Sequence, residues 1–97
     1  EATGAPSAWR GDVVATAKRD LAAGEMLDGE GGYTVYGKLL PAADSLRLGG
    51  LPIGLAHKVR LTRPVAQGMP VGWQDVEIDS ASEAVQVRRE MEAAFAV

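Results

Sequence analysis

The sequence of 97 residues predicts a mainly β domain with short helices, an internal pseudo-twofold repeat and a C-terminal helix. First, residues 14–27 align with residues 58–71 without a gap, so that Arg19 falls on Arg63 and Gly24 on Gly68. Second, both segments carry β-branched or bulky apolar residues, which suit a pleated, half-buried surface. Third, a capping-box pattern precedes an apolar stripe at helical spacing near the end of the chain. Together these observations predict two similar strand–turn–strand units followed by one helix.

Composition limits the classes of partner. The chain has 10 basic and 13 acidic residues and a net charge of −3, with both signs mixed along it. Nucleic-acid binding favours a basic stripe, and membrane-surface binding a polybasic segment, so neither partner is predicted. The chain contains no cysteine. Disulfides, thiolate nucleophiles and cysteine-ligated metals are therefore excluded.

The length fits one domain, which we place at residues 12–79, between a linker (1–11) and a C-terminal helix (80–97). Trp9 is expected to pin the linker to the body. Because the first residue is Glu1 rather than Met, we interpret the chain as a fragment of a larger protein. No apolar run is long enough to span a bilayer and no signal peptide is visible, so we expect a cytoplasmic location.

Local chemistry predicts the individual elements. Strands are expected where β-forming residues alternate or cluster, at residues 13–17, 33–38, 57–61 and 76–78. Gly24 and Gly68 are expected in tight turns that need positive φ. Residues 42–48 predict a helical turn that Gly49 stops. Turns or bends are expected in the segments between these elements, at residues 10–12, 39–43, 51–55 and 72–75.

The segment Asp28 to Gly32 predicts a tight or flexible loop. Its glycine spacing matches no phosphate-binding motif, and its two carboxylates would repel phosphate. Carboxylates in such loops are expected to be hydrated and to keep ordinary pKa values, so no catalytic residue is assigned. His57, the only histidine, has no carboxylate at a recognisable spacing, and no metal ligand is assigned.

The C-terminal helix is expected to open at a capping box formed by Ser80 and Glu83. One face of this helix carries an apolar stripe that includes a single charge, made up of Ala84, Val85, Arg88, Met91 and Phe95. The pair of Arg88 and Glu92, at i,i+4, is expected to contribute only a few tenths of a kcal/mol. The stripe is expected to pack on the core or to dock on a further domain.

Residues 17–27, together with Trp73 to Ile78, resemble the SAF domain superfamily. The resemblance covers about residues 12–79. It implies a β-clip fold, in which short strands fold over on themselves about an approximate internal twofold. Members of the superfamily include the antifreeze-like domain of sialic acid synthases, the N-terminal domain of altronate dehydratases, and flagellar P-ring and pilus assembly proteins.

A narrower likeness joins residues 9–21, 31–38 and 51–57. These stretches are similar to the C-terminal SAF domain of bacterial oxidoreductases labelled homoserine-dehydrogenase-like, which include deoxyxylulose phosphate reductoisomerase-like enzymes. The resemblance implies that nucleotide-binding and catalytic domains precede this one and carry NAD(P) and the catalytic residues. This chain would then be a non-catalytic domain that serves homo-oligomerisation or covers the substrate site.

A binding module for a sugar acid or another anionic small molecule is the alternative from a different class. Its contacts would be the basic residues near the repeat turns, namely Lys18, Arg19, His57 and Arg63, with Lys58 and Arg60 beside them. Arg19 and Arg63 are expected to approach each other if the twofold brings the turns together. A flagellar or pilus assembly domain is a third alternative.

Overall fold

A computed structural model describes residues 10–96 of the chain, and side chains as far as residue 94. The expected linker and the anchoring role of Trp9 lie outside the described residues, as does the side chain of Phe95. The elements, in chain order, are β1 (Gly11–Ala17), β2 (Met26–Asp28), β3 (Val35–Pro41), α1 (Ala42–Leu48), β4 (His57–Leu61), β5 (Val76–Glu77) and α2 (Glu83–Ala96). The prediction of a strand-rich chain with short helices and a C-terminal helix is confirmed.

The first sheet pairs β1 with β3 in antiparallel register, from Gly11 opposite Pro41 to Ala17 opposite Val35. Both strands differ from the predicted bounds. The predicted turns at residues 10–12 and 39–43 are wrong, because the ends of β1 and β3 satisfy each other's backbone groups over these residues. On its other edge, β1 forms isolated bridges to Pro52 and Pro70. Val14 and Ala15 on β1 are consequently fully buried.

The second sheet has the order β2–β4–β5, with antiparallel pairing throughout. The bounds predicted for β4 are confirmed, but its pairing is irregular. Leu27 lies opposite Val59 and Asp28 opposite His57, so Lys58 has no partner on β2 and forms a bulge. Lys58 has a φ of 59°, a left-handed conformation that residues with a Cβ rarely adopt.

Two β-turns occupy equivalent places in the aligned segments. Glu25 donates its N–H to Ala22 O at 3.2 Å, and Met69 donates to Ala66 O at 3.0 Å. The glycine before each donor has positive φ, 92° at Gly24 and 81° at Gly68. The predicted tight turns at both glycines are therefore confirmed.

The two turn segments are hydrogen-bonded to each other. Leu21 N–H donates to Val65 O at 2.8 Å, and Val65 N–H donates to Leu21 O at 3.0 Å. Further bonds join each turn to the strand of the other segment: Gly24 N–H to Leu61 O (2.8 Å), Gly68 N–H to Ala17 O (2.9 Å), Leu61 N–H to Glu25 O (2.8 Å) and Ala17 N–H to Met69 O (3.0 Å). Each bond in this set has a counterpart at the offset that aligns Arg19 with Arg63.

The helix α1 has the predicted bounds and ends at Gly49, which is left-handed with a φ of 68°. Gly49 N–H donates to Leu46 O and Gly50 N–H to Ser45 O, which satisfies carbonyls at the helix end. The predicted bend after α1 contains a short 3₁₀ turn, Ile53–Leu55. The turn predicted near Trp73 is a second 3₁₀ turn, Trp73–Asp75.

The helix α2 begins two residues later than its predicted cap implies. Val85 N–H donates to Ser82 Oγ at 3.2 Å, so Ser82 caps the helix and the predicted capping box of Ser80 and Glu83 is wrong. The cause lies in the preceding residues. Asp79 Oδ1 accepts a bond from Ala81 N–H, and Asp79 O accepts one from Ser82 N–H, which forms a separate turn.

The core lies between the two sheets and contains residues from both aligned segments. Its largest fully buried apolar side chains are Leu27, Leu51, Leu61, Val14, Val35 and Val71. The contiguous core cluster, as far as the structure describes the chain, runs from Ala15 to Val76 and includes no side chain of α2. The sheets and their turns therefore form a body to which α2 is added.

We predict that Gly24→Ala and Gly68→Ala each lower the free energy of unfolding by about 1 kcal/mol, because alanine pays a steric cost at positive φ. No atom lies within 4 Å of a Cβ built on either glycine, so conformation rather than crowding sets the cost. Gly54→Ala is the matched control, since Gly54 also has open space and its φ is not positive. Urea unfolding measures the difference. Equal stability of all three variants would contradict the assigned turns.

Candidate functional site

The most buried ion pair in the described chain joins α2 to β1. Arg88 donates from Nη1 to Asp12 Oδ1 at 2.8 Å and from Nη2 to Asp12 Oδ2 at 2.5 Å. The two side chains are 11% and 6% exposed. Ser45 on α1 also donates its hydroxyl to Asp12 Oδ2. Asp12 therefore connects three elements, β1, α1 and α2.

Glu92 extends this network on α2. Its carboxylate accepts bonds from Arg88 Nε at 2.7 Å, Arg89 Nη1 at 3.0 Å and Trp73 Nε1 at 3.3 Å. The Arg89 guanidinium also lies 4.5 Å from the centroid of the Trp73 ring. The predicted i,i+4 pair of Arg88 and Glu92 forms, and it belongs to a largely buried network that also includes Asp12.

Burial and hydrogen bonding act in opposite directions on the ionised groups of this network. Burial alone raises the pKa of Asp12, but the hydrogen bonds from Arg88 and Ser45 outweigh it, and the pKa lies below its ordinary value. Burial lowers the pKa of Arg88, and the bonds to Asp12 and Glu92 more than reverse this. Both shifts favour the charged forms of Asp12 and Arg88, so the pair is suited to holding elements together.

A second polar cluster shapes the glycine-rich loop. Asp28 Oδ2 accepts a bond from Tyr33 N–H at 2.7 Å, and Oδ1 accepts one from Thr34 N–H at 3.0 Å. The Thr34 hydroxyl donates to Asp28 Oδ1 as well and accepts from Asp28 N–H at 3.1 Å. A Cβ at Gly32 would lie 2.3 Å from the Asp28 carboxyl carbon, so only glycine fits there. The loop is thus tight and closed around its own carboxylate.

These bonds change the acidity of Asp28. The hydrogen bond from the Thr34 hydroxyl, followed by the bond from Tyr33 N–H, lowers the pKa of Asp28 from 3.8 to about 2. The pKa of Glu25 is also lowered, by the bonds from Arg19 and from Ala22 N–H. The expectation of ordinary pKa values in this region is therefore wrong for these two residues. Both shifts favour the ionised form, which suits a loop-holding role.

The loop does not fit the phosphates of NAD(P). A phosphate would need free backbone N–H groups, but those of Tyr33 and Thr34 already bind Asp28. The Asp28 carboxylate itself occupies the place of an anion. The amino group of Lys18 donates a hydrogen bond to Gly32 O in the same loop, at 2.5 Å.

The four basic residues proposed as anion contacts have different surroundings. Arg19 forms a bidentate pair with Glu25, at 3.2 Å from Nη1 and 2.7 Å from Nη2. This bond raises the pKa of Arg19. Arg63 Nε lies 3.4 Å from Asp75 Oδ1. The structure brings Leu21 and Val65 together but gives Arg19 and Arg63 separate acidic partners.

The other candidates, Lys18, His57 and Arg60, each lie beside a loop or turn of the protein. Lys18 reaches the glycine-rich loop through Gly32 O. His57 is exposed at the bulge and its ring lies beside Gly29. Arg60, a further candidate, donates to Gly24 O at 2.7 Å. Lys18 and His57 therefore both lie at the glycine-rich loop, Arg19 and Arg60 both bond to the first turn, and Arg63 lies beside Asp75.

Neither a metal-binding group nor a membrane-spanning helix is found among the described residues. Within that part of the chain, no group of three or more histidine, cysteine, aspartate or glutamate side chains could hold a metal ion. No helix among residues 10–96 has the length and apolar character needed to cross a membrane.

Comparison with known proteins adds no relative. No family model matches the chain, and no curated protein matches it. The resemblance to SAF domains and to the homoserine-dehydrogenase-like oxidoreductases therefore stays a prediction.

Sequence reasoning missed Asp12 and the role of Arg88. The sequence predicts a turn at Asp12, and it puts Arg88 on the apolar face of the helix without indicating a partner from the body. One signal was available: an arginine in the middle of an apolar stripe needs a buried anion. The identity of that anion was not available, because 76 residues separate Asp12 from Arg88.

We predict that Asp28→Asn lowers the free energy of unfolding by about 1 kcal/mol at neutral pH, since hydrogen bonds to a charged but solvent-exposed acceptor are lost. The folded pKa is depressed, so the contribution of Asp28 is present above pH 3.8 and is lost as the pH falls through about 2. Urea unfolding at neutral and acid pH should show the two proteins converging. Glu30→Gln in the same loop is the control, with a change of about 0.5 kcal/mol or less. Equal losses in both variants at neutral pH would contradict the role of Asp28.

Proposed function

We propose that the chain is a non-catalytic, SAF-like β-clip domain of a larger cytoplasmic NAD(P)-dependent oxidoreductase, in which it serves oligomerisation or covers the substrate site. The observation that carries the proposal is that the chain's bonded charged side chains are used to hold its own loops and helices. Asp12, Asp28 and Arg88 all have this role. A body of this kind is suited to positioning other domains.

The β-clip assignment is supported by the reciprocal bonds between the two aligned segments. Leu21 and Val65 exchange both of their backbone bonds, and the turns at Gly24 and Gly68 have the same hydrogen-bonding pattern. Two short strand units that fold over each other about an approximate twofold would produce such a set. The sequence resemblance and this geometry point to the same architecture.

A docking role is supported by apolar side chains at one end of the first sheet. Leu39 is 71% exposed and lies directly opposite Val13, which is 39% exposed. Large exposed apolar side chains on neighbouring strands are a feature of surfaces that contact other proteins or domains. In the proposed parent protein, this end of the β1–β3 sheet would contact a preceding domain or a second subunit.

The alternative of an anion-binding module has less support. Its proposed contacts are bonded to Glu25, Asp75 and Gly32 O, so an anion would have to displace these partners. Surface ion pairs are weak enough to be displaced, but the bonded groups lie on separate loops. Nothing in their arrangement favours one anion over water.

We predict that the coding region before this chain encodes a dinucleotide-binding domain and a catalytic domain. In that full-length protein, Leu39→Asp should either dissociate the oligomer in sedimentation velocity or lower turnover at least fivefold, because a charge is placed on the docking surface. NAD(P)H affinity should not change, since the proposal places the cofactor in a preceding domain.

Tyr33→Asp is the matched control for this experiment. Tyr33 is also a large exposed side chain, but it lies on the glycine-rich loop. It should leave oligomer and turnover unchanged. A full-length protein without a dinucleotide-binding domain, or a Leu39→Asp variant identical to the control in both measurements, would overturn the proposal.

A further inference from the structure

The attachment of α2 to the body is mainly polar. Among its described side chains, Val85 alone is buried, at 5% exposure, and Met91 on the same face is half-buried. Ala84, Gln86 and Val87, which lie within two residues of Val85, are exposed. A helix held by apolar packing usually buries a stripe several residues long. Here the stripe is interrupted by Arg88, whose guanidinium is directed to Asp12.

The bonds of Arg88 join α2 to the rest of the protein. Its guanidinium makes two bonds to Asp12 on β1 and one to Glu92 on its own helix. Asp12 is in turn bonded to Ser45 on α1. Glu92 also accepts bonds from Arg89 and Trp73. A bidentate arginine–carboxylate pair has a narrow range of good geometries, so the pair either forms or is lost.

Beneath α2 lies a strip of partly buried apolar side chains, which we define as Leu55, Trp73 and Ile78. These residues pack against the core cluster on one side. On the other side they border clefts that α2 completes, one with Val85 and Arg89 and one with Val87 and Met91. The core cluster of the described chain contains no α2 side chain, so the strip would stay in place without the helix.

We propose that α2 is a detachable lid, held over the strip of Leu55, Trp73 and Ile78 by the ion pair between Arg88 and Asp12. Opening breaks this pair and the hydrogen bond that Trp73 Nε1 donates to Glu92, while the two sheets stay folded. The bonds of the turn at residues 79–82 lie within the turn and need not break when α2 opens, so this turn can act as the hinge. The open form exposes the strip as an apolar surface. This proposal is independent of the proposed function.

Amide hydrogen exchange of the whole chain, measured by NMR, tests the lid. Arg88→Met keeps an unbranched apolar stem and removes the charged guanidinium. We expect the α2 amides at residues 86–94 to open at a lower free energy than those of Leu51 and Leu61, whose N–H groups bond inside the body, and their protection to fall at least tenfold in Arg88→Met. Arg88→Lys should give an intermediate loss, because it keeps the charge without the bidentate geometry.

Trp73 provides a second readout, since it contacts Glu92 and Arg89 of α2. In a Trp9→Phe background, its fluorescence emission should shift to the red in Arg88→Met. Arg19→Met is the matched control: it removes an arginine from an exposed ion pair with Glu25, on a turn that lines no cleft with α2. It should change neither exchange on α2 nor the emission of Trp73.

Two results would overturn the lid. Unchanged protection on α2 in Arg88→Met would show that the ion pair does not hold the helix. The same opening free energy at Leu51, Leu61 and the α2 amides would show that the helix is part of one cooperative unit. If Arg88→Met does not fold, native-state exchange of the wild-type chain in dilute denaturant decides the matter. The lid requires α2 to open before the body, and a single shared opening free energy contradicts it.

Discussion

The reciprocal hydrogen bonds between the two turn segments are the constraint on which the structure depends. Leu21 and Val65 exchange both backbone bonds, and each turn glycine donates to the strand of the other segment. Neither segment can satisfy these groups alone, and unpaired buried backbone groups are costly. The segments must therefore fold together. Their association places Leu27 and Leu61 in one core.

The parts of this arrangement that depend on neighbouring residues could be predicted from the sequence. Gly24 and Gly68 identify the turns because positive φ is easy for glycine, and Gly49 identifies the end of α1 for the same reason. Elements that depend on distant partners could not be predicted from the sequence. The extension of β3 to Pro41 requires β1 beside it, and the bulge at Lys58 requires the register of β2.

The two polar sites also differ in whether their partners are near or distant in sequence. The loop around Asp28 is local, and its glycines made a tight turn predictable, but its hydrogen bonds and lowered pKa depend on how Thr34 and Tyr33 fold back. The pair of Asp12 and Arg88 joins opposite ends of the chain, so no spacing rule could find it. Both carboxylates stabilise structure. A protein that uses its charges internally in this way is consistent with a domain that positions others, which is the function we propose.

Amide exchange of Leu21, Gly24, Val65 and Gly68 tests the dependence of one segment on the other most directly. Each of these four N–H groups donates a bond that crosses between the segments. If the segments hold each other, all four amides exchange only through opening of the whole body, with one shared free energy close to that of global unfolding. Exchange of Leu21 and Gly24 at a much lower free energy than Val65 and Gly68 would show that one segment opens alone, and would contradict the account.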